Sequence, residues 1–163
     1  AVAPLDEAPA RAEVVVLAIP GAAVPGFAAA QAAALGDRIV VDATNDLSAG
    51  HAGPMHHMGD WARLAPRARV FRAFNTVGWE NVLHPDFDGV AADLLWCGPD
   101  DGREVVEALI RGTGMRPVRA GGPEAADVLD GVARLWFALA FAQGMGRRLA
   151  FRVLGPSGVT GGA

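Results

Sequence analysis

Polar or turn-forming residues follow three short apolar runs in the first half of the chain, and they have the chemistry to bind a planar, polar ligand. The candidates are Ala18, Ile19 and Pro20 at the end of the first run, Asn45 after the second, and Asn75, Thr76 and Val77 after the third. The amide of Asn45 offers both a donor and an acceptor, which suits a carboxamide. Val77 offers an apolar surface for a flat ring. We therefore regard these three groups as candidate ligand-binding residues.

Each group also has a simpler structural interpretation. A proline after a strand is an ordinary terminator, an asparagine in that place often closes an Asx turn, and an Asn-Thr pair makes a good helix cap. The pattern favours the simpler interpretation for Pro20. It leaves both interpretations open for Asn45 and Asn75.

The loop that contains His51, His56 and His57 is a candidate metal site by residue type. A zinc site needs three or four ligands in a defined geometry, and two adjacent histidines do not easily reach one ion. We therefore predict no metal site and an exposed or substrate-facing loop. The single cysteine, Cys97, lies in an apolar run and is predicted to be a buried, unreactive thiol.

The given sequence contains no complete Gly-x-Gly-x-x-Gly fingerprint, the turn that places a dinucleotide pyrophosphate at a helix N-terminus. Gly112-Thr113-Gly114 and Gly144-Met145-Gly146 come nearest. The third glycine is missing in both, because Pro117 and Leu149 stand in its place. The Gly-x-Ser-x-Gly elbow of hydrolases is also missing from the sequence.

The elements that must position these residues alternate along the chain. Apolar runs at 14–19, 39–41, 69–74, 94–97 and 116–119 are separated by helix-favouring stretches. This alternation predicts an α/β fold with a mostly parallel sheet. Ligands bind at the carboxyl ends of parallel strands, so we expect the loops after the first four strands, including residues 98–101, to meet there. From residue 124 to about residue 154, helical spacing of apolar residues predicts a C-terminal helical region, in which Gly144 and Gly146 interrupt the helix or permit close packing.

Composition excludes several classes of protein. The chain has 163 residues, of which 52% are hydrophobic and 20% are charged. A chain of this length can bury a core without disulfides. The net charge of -4 argues against a nucleic-acid partner. The longest apolar stretch, residues 135–142, is far shorter than the ~20 residues of a membrane helix. A single cysteine fits a reducing compartment, so we expect a cytoplasmic location.

Taken together, these segments resemble the F420-dependent NADP oxidoreductases. The order and spacing agree from about residue 5 to residue 154. The matching stretches are residues 12–20 (AEVVVLAIP), 40–47 (VVDATNDL), 72–78 (RAFNTVG), 97–101 (CGPDD), 135–136 (LW), 143–146 (QGMG) and 150–151 (AF).

The resemblance implies an enzyme that transfers a hydride between NADP(H) and the deazaflavin coenzyme F420. The two rings would stack in a cleft between a Rossmann-like sheet and the C-terminal helices, and no catalytic acid or base is required. By resemblance, Ile19 and Pro20, next to Ala18, line the nicotinamide half, with Asn45 nearby. Asn75, Thr76 and Val77 lie at the stacking cleft, and Gly144 and Met145 border the F420 side.

Members of this family begin with a strand, a glycine-rich turn, a helix and a second strand whose Ser-Arg pair binds the 2′-phosphate of NADP. The given sequence lacks this first βαβ unit, so we expect an N-terminally truncated member that is incomplete by itself. We expect a partial Rossmann-like domain over residues 1–122, C-terminal helices over 123–154 and a flexible tail over 155–163.

Two other functions stay open from the sequence. One is a non-catalytic Rossmann-like remnant that acts as a dimer or scaffold, in which the small residues Ala138, Ala142 and Gly146 permit close helix packing. The other is a related NADP-dependent reductase with a different acceptor. We expect small redox cofactors as partners, no nucleic acid and no membrane, and a homodimer by resemblance.

Overall fold

The apolar runs form a five-stranded sheet in the computed structural model, which describes residues 2–48, 50 and 53–155. The sheet contains β1 (Val14–Leu17), β2 (Ile39–Asp42), β3 (Arg69–Arg72), β6 (Asp93–Cys97) and β7 (Arg116–Gly121), and a separate hairpin contains β4 (Asp86–Phe87) and β5 (Val90–Ala91). The α-helices are α1 (Val24–Leu35), α2 (Met58–Leu64), α3 (Trp79–Leu83), α4 (Arg103–Gly112) and α5 (Ala126–Phe137). Single 3-10 turns cover Pro9–Arg11, Gly21–Ala23 and Pro123–Ala125.

The sheet has the strand order β1-β2-β3-β6-β7. The contacts β1–β2, β2–β3 and β6–β7 are parallel, and only β3–β6 is antiparallel within the described sheet. This arrangement confirms the predicted Rossmann-like α/β fold with a mostly parallel sheet and a C-terminal helical region. β7 contains Pro117 and lies at a sheet edge, where the missing N–H of proline costs no ladder bond.

The antiparallel contact corrects one expectation. Because β6 runs against β3, the loop over residues 98–101 lies at the opposite edge of the sheet from Asn45 and Asn75. A salt bridge of 3.2 Å between Arg69 Nη1 and Asp101 Oδ1 fixes this loop beside the start of β3. Three loops therefore meet at the predicted edge, not four.

Both faces of the central strands are buried, which explains their continuous apolar sequence. On one face Ile39, Val41 and Phe71 pack with residues of β6 and α4. On the other face Val40 and Val70 pack with residues of α1 and α2. The alternation of side chains along each strand thus fills two separate cores.

The C-terminal helix is shorter than the sequence predicts. After α5 the helix continues as one π-helical turn, Ala138–Ala142, and then ends. Gly144 and Gly146 have φ angles of 68° and 78°, a left-handed backbone that glycine adopts without strain. Residues 143–154 are therefore not helical, and Phe151 instead forms a β-bridge with Asp93.

A buried carboxylate holds this last segment against the sheet. Asp93 is fully buried, and its two oxygens accept hydrogen bonds of 2.7 Å each from Nε and Nη2 of Arg116. The backbone N–H of Val153 also donates to this carboxylate, at 2.6 Å. Such charge-assisted, two-pronged contacts are directional as well as strong.

The outer edge of β1 has no neighbouring strand in the described part of the chain. Val16 on this strand is 53% exposed. A groove of about 410 Å³ runs beside β1 and is lined mainly by apolar residues, among them Leu5, Pro9 and Phe27. No helix of the described residues has the length and apolar character needed to cross a membrane.

Candidate functional site

The loops that follow β1, β2 and β3 touch one another at one edge of the sheet. Gly21, after Pro20, packs so closely on the loop after β2 that a Cβ atom on it would lie 2.5 Å from the Asp46 Cα atom. The side-chain amide of Asn45 donates a hydrogen bond of 2.8 Å to the backbone oxygen of Asn75. The structure therefore brings Pro20, Asn45 and Asn75 to one place, which we call the shared rim.

Asn75 and Thr76 are buried at the shared rim, with exposed fractions of 4% and 1%. Neither side-chain amide atom of Asn75 has a hydrogen-bond partner among the described residues, and neither does the hydroxyl of Thr76. Each unpaired buried polar group costs about 1–3 kcal/mol, so it requires an explanation. A ligand with complementary donors and acceptors would supply one.

Backbone strain occurs at the same place. Phe74, directly before Asn75, has a φ angle of 65°, a left-handed conformation that is uncommon for a bulky side chain. Strain of this kind costs about 1–3 kcal/mol and concentrates at ligand-binding loops. Strain and unpaired polar groups thus fall on three consecutive residues.

A buried carboxylate shapes the loop after β2. Asp42 Oδ1 accepts hydrogen bonds from the N–H and the hydroxyl of Thr44, at 2.9 and 2.7 Å. Asp42 Oδ2 accepts one from the indole N–H of Trp61, at 2.9 Å. These bonds turn the chain sharply at the end of β2, and this turn directs Asn45 toward β3.

The other predicted residues of the first and third loops differ in exposure. Ala18 and Pro20 are exposed at the rim, and Ile19 is half-buried. Val77 is half-buried and packs against the core that lies between the sheet and α4. Val77 therefore anchors its loop to this core, whereas Ile19 packs against the core on the α1 face of the sheet and lines the groove beside β1.

Gly144 and Met145 lie in the exposed segment after the π-helical turn, and Met145 is 57% exposed. Within the described residues no hydrogen bond joins them to the Asn75 loop. Arg147 in the same segment pairs with Glu80 of α3, the helix that follows that loop. This ion pair places the segment beside α3, and the role of Gly144 and Met145 stays a prediction.

Arg72 and Asp130 are site residues that the sequence analysis missed. Both are fully buried, and they form a salt bridge of 2.6 Å between β3 and α5. An arginine at the end of a strand and an aspartate on a helix are common surface residues. Their positions in the sequence therefore do not indicate a buried ion pair. Only the fold brings together these two residues, which lie 58 positions apart in the chain.

Of the three histidines, His51 lies outside the described residues. His57 contacts Asp60 through Nδ1 and Asp46 through Nε2, both at 3.0 Å. Hydrogen bonds from Ser48, and more weakly from His57, lower the pKa of Asp46. Hydrogen bonds from His57 and then from Arg63 lower the pKa of Asp60. His57 thus ties the loop after Asn45 to the start of α2.

His56, Asp127 and Asp130 have potential metal-ligand atoms within 4.8 Å of one another. The carboxylate of Asp130 is already engaged, because one oxygen accepts from Arg72 and the other accepts from the Met55 N–H. The guanidinium supplies the positive charge that a metal would otherwise bring. We therefore assign no metal to this cluster.

Cys97 is fully buried, which confirms the prediction of a buried thiol. Burial raises the pKa of the Cys97 thiol to about 11, so the reactive thiolate is scarce near neutral pH. We expect iodoacetamide to leave the folded protein unlabelled over a period in which the protein in guanidinium is labelled completely. Mass spectrometry of both samples tests this, and equal labelling would contradict it.

Comparison with known proteins supports the fold. No protein-family model and no curated protein matches the sequence. A solved structure from Arthrobacter sp. FB24, provisionally described as an F420-dependent NADP reductase, is similar with a TM-score of 0.79 and 24% sequence identity. The match covers 94% of this chain and 74% of that one.

A hypothetical protein from Sinorhizobium meliloti is also similar in structure, with a TM-score of 0.61 and 25% identity. That match covers 93% of this chain and 70% of the other. At these identities the likeness establishes a shared α/β architecture. It leaves the activity to be argued from the site.

Proposed function

We propose that this chain is part of an oxidoreductase that transfers a hydride between NADP(H) and coenzyme F420. The observation that carries the proposal is that two neighbouring buried residues of the shared rim, Asn75 and Thr76, both have unpaired polar atoms. The name of the Arthrobacter protein supports this pair of cofactors.

The residues of the shared rim fit a nicotinamide. The carboxamide of nicotinamide has one donor group and one acceptor group, which are complementary to the amide of Asn75. The hydroxyl of Thr76 can donate or accept. Pro20 is exposed at the same rim, and dinucleotides bind at this edge of Rossmann-like sheets.

When both cofactors are bound, they would supply the redox chemistry, and the hydride would pass between NADP(H) and F420. The chain contributes by positioning the two cofactor rings and by excluding water from them. Asn75 and Thr76 hold the polar edge of a ring from a buried place, and Val77 and Phe74 fix their loop to the core. The proposed reaction requires no side chain to donate or accept a proton.

The proposal includes a pyrophosphate site outside the given sequence, since this sequence has no Gly-x-Gly-x-x-Gly segment. The open edge of β1 supports this part of the proposal. A further strand could pair with the backbone of β1, which has no neighbouring strand on that side in the described part of the chain. Its carboxyl end would also bring another loop to the shared rim.

Binding and hydride transfer test the proposal. NADPH, reduced nicotinamide mononucleotide and F420 are each titrated into the protein while ligand fluorescence is followed, and NADPH and F420 are then combined. We expect NADPH and the mononucleotide to bind with similar affinities, because the rim contacts only their common half. We also expect loss of the deazaflavin absorbance as F420 is reduced.

The other outcomes separate the alternatives. Binding of none of these ligands contradicts the proposal and favours a non-catalytic scaffold. NADPH binding without F420 reduction favours a reductase with another acceptor. The variant Asn75→Leu is the matched control, because it removes the unpaired amide from the rim and keeps a side chain of similar size.

A further inference from the structure

Arg72 and Asp130 form an ion pair in which both side chains are fully buried. Asp130 Oδ1 accepts hydrogen bonds from Nη2 of Arg72 at 2.6 Å and from Nε at 3.1 Å. Such a pair is weak evidence for stability, because the cost of removing both charges from water offsets most of their attraction. The other contacts of the guanidinium therefore matter more for its role than the contribution of the ion pair to stability.

The remaining contacts of the guanidinium point to the shared rim. Arg72 Nη1 donates to the backbone oxygen of Thr44 at 2.9 Å, and Nη2 donates to Oδ1 of Asn45 at 2.9 Å. The amide nitrogen of Asn45 in turn donates to the backbone oxygen of Asn75 at 2.8 Å. A guanidinium only donates hydrogen bonds, so the oxygen of the Asn45 amide must face Arg72. The nitrogen of the same amide then faces the loop that contains Asn75.

Asp130 determines the orientation of Arg72. Its second oxygen accepts a hydrogen bond of 2.6 Å from the backbone N–H of Met55. The carboxylate is therefore held on both sides, by the strand and by the segment before α2. A fixed carboxylate leaves the planar guanidinium one orientation that satisfies Asp130, Thr44 and Asn45 together.

We propose that Arg72 is a positioning residue for the shared rim, and that Asp130 acts through it. Arg72 fixes the Asn45 amide, and this amide fixes the backbone of Asn75, one of the two residues of the shared rim with unpaired polar atoms. The positioning of Asn45 and Asn75 concerns the unliganded protein, whereas its benefit for NADPH binding rests on the proposed function.

Two variants test the proposal. Arg72→Lys keeps the charge but lacks the fork that reaches three acceptors at once. The double variant Arg72→Met/Asp130→Leu replaces both charges by apolar side chains of similar size, which buried ion pairs often tolerate. Arg116→Lys is the matched control, because Arg116 makes a similar two-pronged contact with the buried Asp93 at another part of the fold.

The first readout needs no cofactor. In 1H–15N spectra of the unliganded proteins, we expect the side-chain amide of Asn45 and the backbone amides of Asn75 and Thr76 to shift in both Arg72 variants. The same signals should stay unchanged in Arg116→Lys. In the second readout, NADPH affinity should fall at least about tenfold in the Arg72 variants and stay at the wild-type value in the control.

Folded Arg72 variants with wild-type signals for Asn45 and Asn75 would overturn the proposal. Wild-type NADPH affinity in those variants would overturn it as well, because a merely structural role lowers stability and leaves the affinity of the folded protein intact. If the wild-type protein binds no NADPH, the proposed function fails, and the spectra alone decide whether Arg72 positions the rim.

Discussion

Replacing Gly21 with alanine should lower the free energy of unfolding by about 3 kcal/mol, the upper part of the usual range for overpacking. A Cβ atom at this position would lie 2.5 Å from both the Cα and the N atoms of Asp46, and 2.7 Å from the carbonyl carbon of Asn45. These are backbone atoms, so no side-chain rotation can relieve the clash. The loops after β1 and β2 would have to separate. Urea denaturation monitored by tryptophan fluorescence gives the change in stability.

Gly26→Ala is the control for this substitution. Gly26 lies in α1, and a Cβ atom there would meet nothing within 4 Å. Alanine favours the helix by up to about 1 kcal/mol over glycine, so this variant should be slightly more stable than the wild type. If Gly21→Ala were as stable as the wild type, the loops of the shared rim would not touch in solution.

Replacing Asn75 with leucine should stabilise the unliganded protein by about 1–2 kcal/mol and weaken its binding of NADPH. The gain arises because the buried amide has no partner among the described residues, whereas leucine needs none. The loss arises because two hydrogen bonds of about 1 kcal/mol each disappear from the complex, which corresponds to about thirtyfold in Kd. Thermal unfolding and fluorescence titration measure the two effects separately.

Thr76→Val offers an independent check, because valine has nearly the shape of threonine and the Thr76 hydroxyl is also unpaired. It should change stability and affinity in the same directions as Asn75→Leu, by smaller amounts. A loss of stability in both variants would mean that these polar groups are paired in the free protein. The case for a ligand at this place would then lapse.

The sequence predicts the central strands and the residues that follow them because both depend on local chemistry. A run of β-branched residues such as β2 is typical of a central strand in a sheet that is buried on both faces. Once β1, β2 and β3 are parallel, Pro20, Asn45 and Asn75 must lie at the same edge. Their proximity follows from strand direction alone.

Strand direction is also where the sequence fails. Nothing in the side chains of β6 distinguishes an antiparallel from a parallel neighbour, so the loop at 98–101 was assigned to the wrong edge. Gly144 and Gly146 indicate an interruption of the C-terminal helix or close packing, and the structure shows an interruption, because both adopt left-handed angles. The contact between Arg72 and Asp130 depends on tertiary structure, which local pattern does not encode.

The open edge of β1 has a consequence for how the protein behaves at high concentration. Val14–Leu17 contains neither charge nor proline, the two features that usually discourage one molecule from extending the sheet of another. Copies of the chain with this strand uncovered are therefore prone to self-association through backbone pairing. A lysine at the exposed position of Val16 would give the edge the gatekeeper charge that it lacks.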